Sequence, residues 1–99
     1  MGFREEYELD FLENEAESLV FEELERQLAE DWAADICKCQ DCVLDMAALA
    51  LNSVKPFYRV SLLGKVYAGS LNESAYAEEV KKAVNDSIVK ISVNPAHGI

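Results

Sequence analysis

A chain of 99 residues is expected to form a single domain, residues 1–99. At that size only about 60–70% of the unfolded surface can be buried, so a metal staple or a second subunit would add usefully to stability. Apolar residues at 51% exclude a disordered chain, and no run approaches the ~20 apolar residues of a membrane span. The net charge of −10 is lopsided: residues 1–36 hold thirteen Asp and Glu against Arg4 and Arg26, whereas residues 37–99 hold six acids against seven bases. An acidic half repels polyanions, which excludes DNA and RNA as expected partners.

In chain order, residues 1–13 read as a loosely ordered extension with an extra turn at Asp10, Phe11 and Leu12. The opening Met1-Gly2-Phe3-Arg4-Glu5-Glu6 has neither a signal-peptide apolar region nor the Ser/Thr of a myristoylation motif, which predicts a cytoplasmic protein. From Asn14 to about Glu30, Ala16, Leu19, Val20, Phe21, Leu24 and Leu28 form an apolar stripe at helical spacing. Asn14 is the predicted N-cap and Glu17 the acidic N3. A second helix is predicted over Asp41–Asn52, where Val43, Met46, Ala47, Leu49, Ala50 and Leu51 leave few polar positions and predict the most buried helix. Lys55-Pro56 ends it, because proline lacks a backbone donor and biases the preceding residue away from the helical region. Tyr58, Val60 and Leu62 then alternate up to Gly64, and Val66 can pair back, so a short hairpin or extended arm is expected. Ser70-Leu71-Asn72-Glu73 has the form of a capping box opening a long helix with Val80, Val84, Ser87, Ile88 and Ile91 on one stripe, ending at Asn94-Pro95. The expected fold is mainly α: a small domain of three or more helices, with the extended arm between the second and third main helices.

Every cysteine of the chain falls in Cys37-Lys38-Cys39-Gln40-Asp41-Cys42, at the predicted start of the second helix. Partial positive charge at a helix start favours the thiolate that binds metal. A C-x-C-x-x-C run turns several sulfurs toward one point but needs a fourth donor from elsewhere, and His97 is the only histidine. Three thiolates and an imidazole suit tetrahedral Zn²⁺. The competing readings are three reduced structural cysteines, an iron–sulfur cluster, which wants four cysteines, or a strained Cys37–Cys39 disulfide acting as a redox sensor. Clustered cysteines cannot staple distant parts of a secreted chain. Asp45 and Asn52 share one face of the second helix, where they suit either contacts behind the cysteines or across a dimer, or simply capping and a buried hydrogen bond.

Lys55, Arg59 and Lys65 fall within eleven residues that contain no acid, so they read either as a phosphate site or as a solvated loop. No nucleophile elbow or P-loop is present, and a binding function is expected rather than catalysis.

The run Cys37-x-Cys39-x-x-Cys42-x-x-Asp45-Met46-Ala47-Ala48-Leu49-Ala50-Leu51-Asn52, followed by Pro56-x-Tyr58 and preceded by Asn14-x-x-Glu17-x-x-Val20, resembles the signature of the late-competence protein ComFB family. The likeness is good over residues 14–67 and looser in the last helix. It implies a small cytosolic bacterial protein, mainly helical and dimeric, in a family where some members hold cysteine-bound zinc and several are regarded as receptors for cyclic di-GMP or cyclic di-AMP. Zinc-binding relatives are expected to carry a fourth cysteine near the C-terminus; here His97 stands in that region, implying a Cys3His site of Cys37, Cys39, Cys42 and His97. A twofold ligand suits a C2 dimer, with Arg59 and Lys65 meeting phosphate and Tyr58, Phe57 or Tyr67 stacking on the base. An acidic N-terminal face would then meet a protein partner. The alternative is a zinc-stabilised structural or adaptor protein with no nucleotide ligand.

Overall fold

A computed structural model of the chain describes residues 2–60 and 73–95. Three long helices make the body: α2 (Glu15–Leu28), α3 (Gln40–Ser53) and α4 (Glu73–Val93), preceded by the single turn α1 (Phe3–Glu6). Short 3-10 turns lie at Leu9–Phe11 and Asp31–Ala33. The mainly helical expectation holds, and each long helix begins or ends within a few residues of its predicted bounds. Every residue from Gly2 to Glu13 is exposed.

The core sits where the three stripes meet. On α2 it takes Ala16, Val20 and Leu24, on α3 Cys42, Met46, Ala47 and Ala50, and on α4 Val80, Ala83, Val84 and Ile88. These intervals of three and four are one helix face each. Helix α4 packs against both α2 and α3, and α2 also touches α3. Two polar groups inside are satisfied. Gln27 Nε2 donates to Glu23 Oε2 at 2.6 Å and to the Lys81 carbonyl at 3.1 Å, while its Oε1 accepts from Asn85 Nδ2 at 3.2 Å. Ser87 Oγ donates to the Ala83 carbonyl at 2.7 Å.

Two expectations about the apolar faces need correction. Phe21 does not join the α2 stripe: it is 50% exposed, because a residue next to Val20 is turned roughly 100° round the helix, past the edge that α3 and α4 cover. Likewise α3 is not covered all round, since Leu44, Asp45 and Ala48 are exposed opposite its buried stripe.

The extended segment after α3 pairs with the residues that lead into α2. Strand β2 (Tyr58–Arg59) lies antiparallel to β1 (Glu13–Asn14), with Glu13 opposite Arg59 and Asn14 opposite Tyr58. The anticipated partner Val66, like the capping residues Ser70 to Asn72, lies outside the described residues. Asn14 joins the two regions. Its Oδ1 accepts from the Ala16 N–H at 3.2 Å, capping α2, and from the Phe57 N–H at 2.8 Å. The Glu15 N–H donates to the Phe57 carbonyl at 2.8 Å. Asn14→Ala is therefore expected to cost more than an ordinary cap, about 2–3 kcal/mol, because a cap (~1 kcal/mol) and the partner of a part-buried N–H go together. Denaturant unfolding would check it; a loss of a few tenths of a kcal/mol would mean the Phe57 bond contributes nothing. Glu17, the other half of the predicted capping pair, is exposed.

Candidate functional site

The three cysteines sit on the turn that leads into α3. After the Asp31–Ala33 turn the chain is drawn back by Lys38, whose Nζ donates to the carbonyls of Ala33 at 2.6 Å and Ile36 at 3.1 Å. The residue between the first two cysteines thus clamps the loop that carries them. Cys39 is the N-cap of α3, in extended conformation, and its Sγ accepts from the Cys42 N–H at 3.5 Å. Cys37 and Cys39 are half-buried and Cys42 is buried one turn into the helix.

Within this turn all three Sγ atoms lie within 4.8 Å of one another, and none is in a disulfide. Zinc–sulfur bonds of about 2.3 Å in a tetrahedron set sulfurs ~3.8 Å apart, so a shift of roughly 1 Å or less would bring this set onto one ion. The donors therefore fit a thiophilic metal. Their electrostatics agree: the Cys42 N–H, bonded to the Cys39 sulfur, holds that thiol below its usual range against the opposing effect of burial, helped by hydrogen bonds from the other two thiols and the Asp41 N–H.

A pH dependence follows. In metal-free protein Cys39 should be alkylated by iodoacetamide ahead of buried Cys42, and its rate should level off below the pH of about 8.5 at which an ordinary cysteine is half ionised. Mass spectrometry of the modified peptides reads both. Equal rates at the two positions would show that the helix start does nothing for the thiolate.

His97 lies outside the described residues, as do Lys65 and Tyr67. Asp45 and Asn52 do share a face of α3, but it is the solvent face, and neither side chain makes a hydrogen bond among the described residues. Among the described residues the expected buried hydrogen bond is absent, because the face turned to α2 and α4 carries Cys42, Met46 and Ala50 instead.

The aromatic and basic residues after Pro56 divide between structure and surface. Phe57 is half-buried, its ring set edge-on to Tyr76 at 5.1 Å between centroids and 71°. It is thereby occupied by α4. Tyr58, on the other face of the strand, is 60% exposed. Arg59 reverses the expectation of a cation with no acid near it: its side chain is 9% exposed and its Nη2 forms an ion pair with Glu15 at the start of α2. Its Nε and Nη1 are shielded from solvent and have no hydrogen-bond partner among the described residues.

Three residues that spacing did not single out hold this corner. Glu15 pairs Arg59, Glu79 Oε2 accepts from the Lys55 N–H at 2.9 Å, and Tyr76 Oη donates to the Lys55 carbonyl at 2.6 Å. Burial and the neighbouring Glu79 raise the Tyr76 hydroxyl above its usual range, so it stays a donor at neutral pH. Tyr76 and Glu79, three apart on the first turns of α4, were visible as one helix face. What that face meets was not.

Comparison with known proteins places residues 13–95 on the sequence profile of the late competence development protein ComFB. Among solved structures, the late competence protein ComFB from Bacillus subtilis is similar, with 27% identity over 86% of this chain and 92% of that one, and a TM-score of 0.64. No curated protein matched the chain.

Proposed function

The chain belongs to the ComFB family of late competence development proteins, and from that premise we propose that it is a cytoplasmic regulatory protein, built on a zinc-stabilised helical core, that binds a cyclic dinucleotide and does no catalysis. The observation that supports the ligand is Arg59, a guanidinium whose shielded Nε and Nη1 have no partner among the described residues, preceded on the strand by Tyr58, which presents an open ring on the opposite face. Phosphodiester oxygens suit such a guanidinium, and a purine face suits such a ring. Cyclic di-GMP and cyclic di-AMP both meet that description. Lys65 and Tyr67 extend the basic and aromatic character of the same segment in sequence. Of the described aromatic candidates Phe57 is the less accessible, since it is half-buried against Tyr76.

In this reading Cys37, Cys39 and Cys42 would hold zinc, with His97 the fourth donor. Zinc bound there would supply cross-linking of the turn to α3 and no chemistry. The protein would work as a homodimer: Phe11, Phe21 and Leu44 are half or more exposed, which is apolar surface a partner subunit can cover. Residues 1–12 precede the part that matches the family and carry Glu5, Glu6, Glu8 and Asp10, a face suited to a basic protein partner.

Calorimetric titration with cyclic di-GMP and cyclic di-AMP tests the ligand. Arg59→Lys should weaken binding about tenfold or more, because a lysine is a point charge and cannot grip two oxygens in one plane, and Tyr58→Ala should weaken it without loss of stability. No binding of either nucleotide by folded, zinc-loaded protein would leave the alternative of a zinc-stabilised adaptor.

A further inference from the structure

We propose that Cys39 and Cys42 form a reversible dithiol–disulfide couple, closed by exchange with a small-molecule disulfide, and that closing it gives up the metal. The loss of metal rests on the reading of the three cysteines as zinc ligands; the couple itself does not.

Cys39-Gln40-Asp41-Cys42 is a C-x-x-C run wrapped round the first turn of α3, with Cys39 at the N-cap and Cys42 three residues on. Side chains three apart on a helix are neighbours, with Cβ atoms about 5–6 Å apart, and a disulfide needs about 3.5–4.5 Å, so a small movement of the N-cap residue closes the gap. The sulfurs are already turned toward each other. Cys39 Sγ accepts from the Cys42 N–H at 3.5 Å, and the two Sγ atoms lie within 4.8 Å. Cys37 is the less suited partner. It precedes the helix, on the loop that Lys38 ties to the Ala33 and Ile36 carbonyls, and with one residue between it and Cys39 a bridge there closes a small, strained ring.

Burial sets the order of events. Cys39 is half-buried between exposed Lys38 and Gln40, whereas Cys42 is 1% exposed. An oxidant arriving from solvent therefore meets Cys39. The Cys39 sulfur attacks one sulfur of the incoming disulfide, that S–S bond breaks, and the first small thiol leaves with the Cys39 proton. Cys42 then attacks the Cys39 sulfur from the core side, the mixed disulfide breaks, and the second small thiol leaves with the Cys42 proton. Two electrons pass from the protein pair to the small disulfide, which ends as two thiols. A sulfur bonded to sulfur is no longer a thiolate, so the closed couple leaves Cys37 as the one cysteine ligand. Zinc held by both sulfurs in turn blocks oxidation. In a reducing compartment the dithiol is the resting form.

The test takes the full chain, stripped of metal with EDTA and reduced, and incubates it with glutathione disulfide before alkylation and trypsin. Lys38 lies between Cys37 and Cys39, so cleavage after it puts Cys37 on one peptide and both members of the couple on another. Alkylatable thiols should fall from three to one, with the Cys39–Cys42 peptide lighter by two hydrogens and Cys37 still alkylated. Cys42→Ser should stop at the mixed disulfide on Cys39, and Cys37→Ser should still close the couple. Zinc-loaded wild type should be oxidised about tenfold more slowly, and its zinc, read with a metal-sensitive dye, should appear in step with the disulfide. Peptides cross-linked through Cys37, a lasting mixed disulfide on wild-type Cys39, or three thiols that stay reduced each overturn the couple. A disulfide formed by protein that takes up no zinc overturns the metal reading and leaves the couple standing; zinc bound by protein that never closes the disulfide does the reverse.

Discussion

Met46→Ala should lower the free energy of unfolding by about 2–5 kcal/mol, the range for truncating a buried methionine when the surroundings relax only in part. Met46 is fully buried, the largest side chain so placed, at the middle of α3 where the stripes of α2 and α4 converge. In a domain of this size each kcal/mol moves the melting temperature by about 4–8 °C, so a drop of ~8–40 °C is expected. Met46→Leu conserves volume and should cost under about 1.5 kcal/mol. Chemical denaturation of the three proteins side by side checks this. An alanine variant as stable as wild type would mean that the helices do not share one core.

The second large effect concerns the metal. Protein purified without chelators is expected to hold about one zinc per chain, and Cys42→Ser should remove it, because a neutral hydroxyl is a poor ligand where a thiolate is needed. The change is smaller sterically than chemically, since Cys42 is buried within the core as well as facing the other sulfurs. Two readouts separate those roles. Elemental analysis counts the metal, and the melting temperature measured with and without EDTA reports what it contributes. Wild type should lose stability in EDTA, whereas Cys42→Ser should be indifferent to it. His97→Ala then asks whether the fourth donor is the histidine: zinc retained at full occupancy would show that it is not. Zinc retained in Cys42→Ser would remove the three-sulfur site altogether. Acid should release the metal too, because each thiolate must take up a proton as the pH falls.

What the sequence determined by itself is local. The intervals between Ala16, Val20 and Leu24, and between Val80, Val84 and Ile88, are a helical period, and any helix that forms there must place those residues on one side. Asn14 before an acidic first turn, and Pro56 after Ser53, mark helix ends by local backbone chemistry. The clustering of Cys37, Cys39 and Cys42 is of the same kind: six residues turning into a helix cannot carry their sulfurs far apart, and the 4.8 Å grouping follows from spacing.

Tertiary structure alone decided which strand meets which, and so what Arg59 does. A two-residue strand carries too little pattern to choose a register, and the choice of Glu13–Asn14 as its partner follows from where α4 holds Lys55 through Tyr76 and Glu79. Once the strand is there, Arg59 stands against Glu15, 44 positions away in the chain, and becomes half of a partly buried ion pair instead of a free cation. Phe21 and Phe57 show the same dependence: equal in hydrophobicity, one faces water and the other a tyrosine. Periodicity reports the face of an element, but the energy of burial is set by whether another element covers that face, and coverage is a property of the packed helices together.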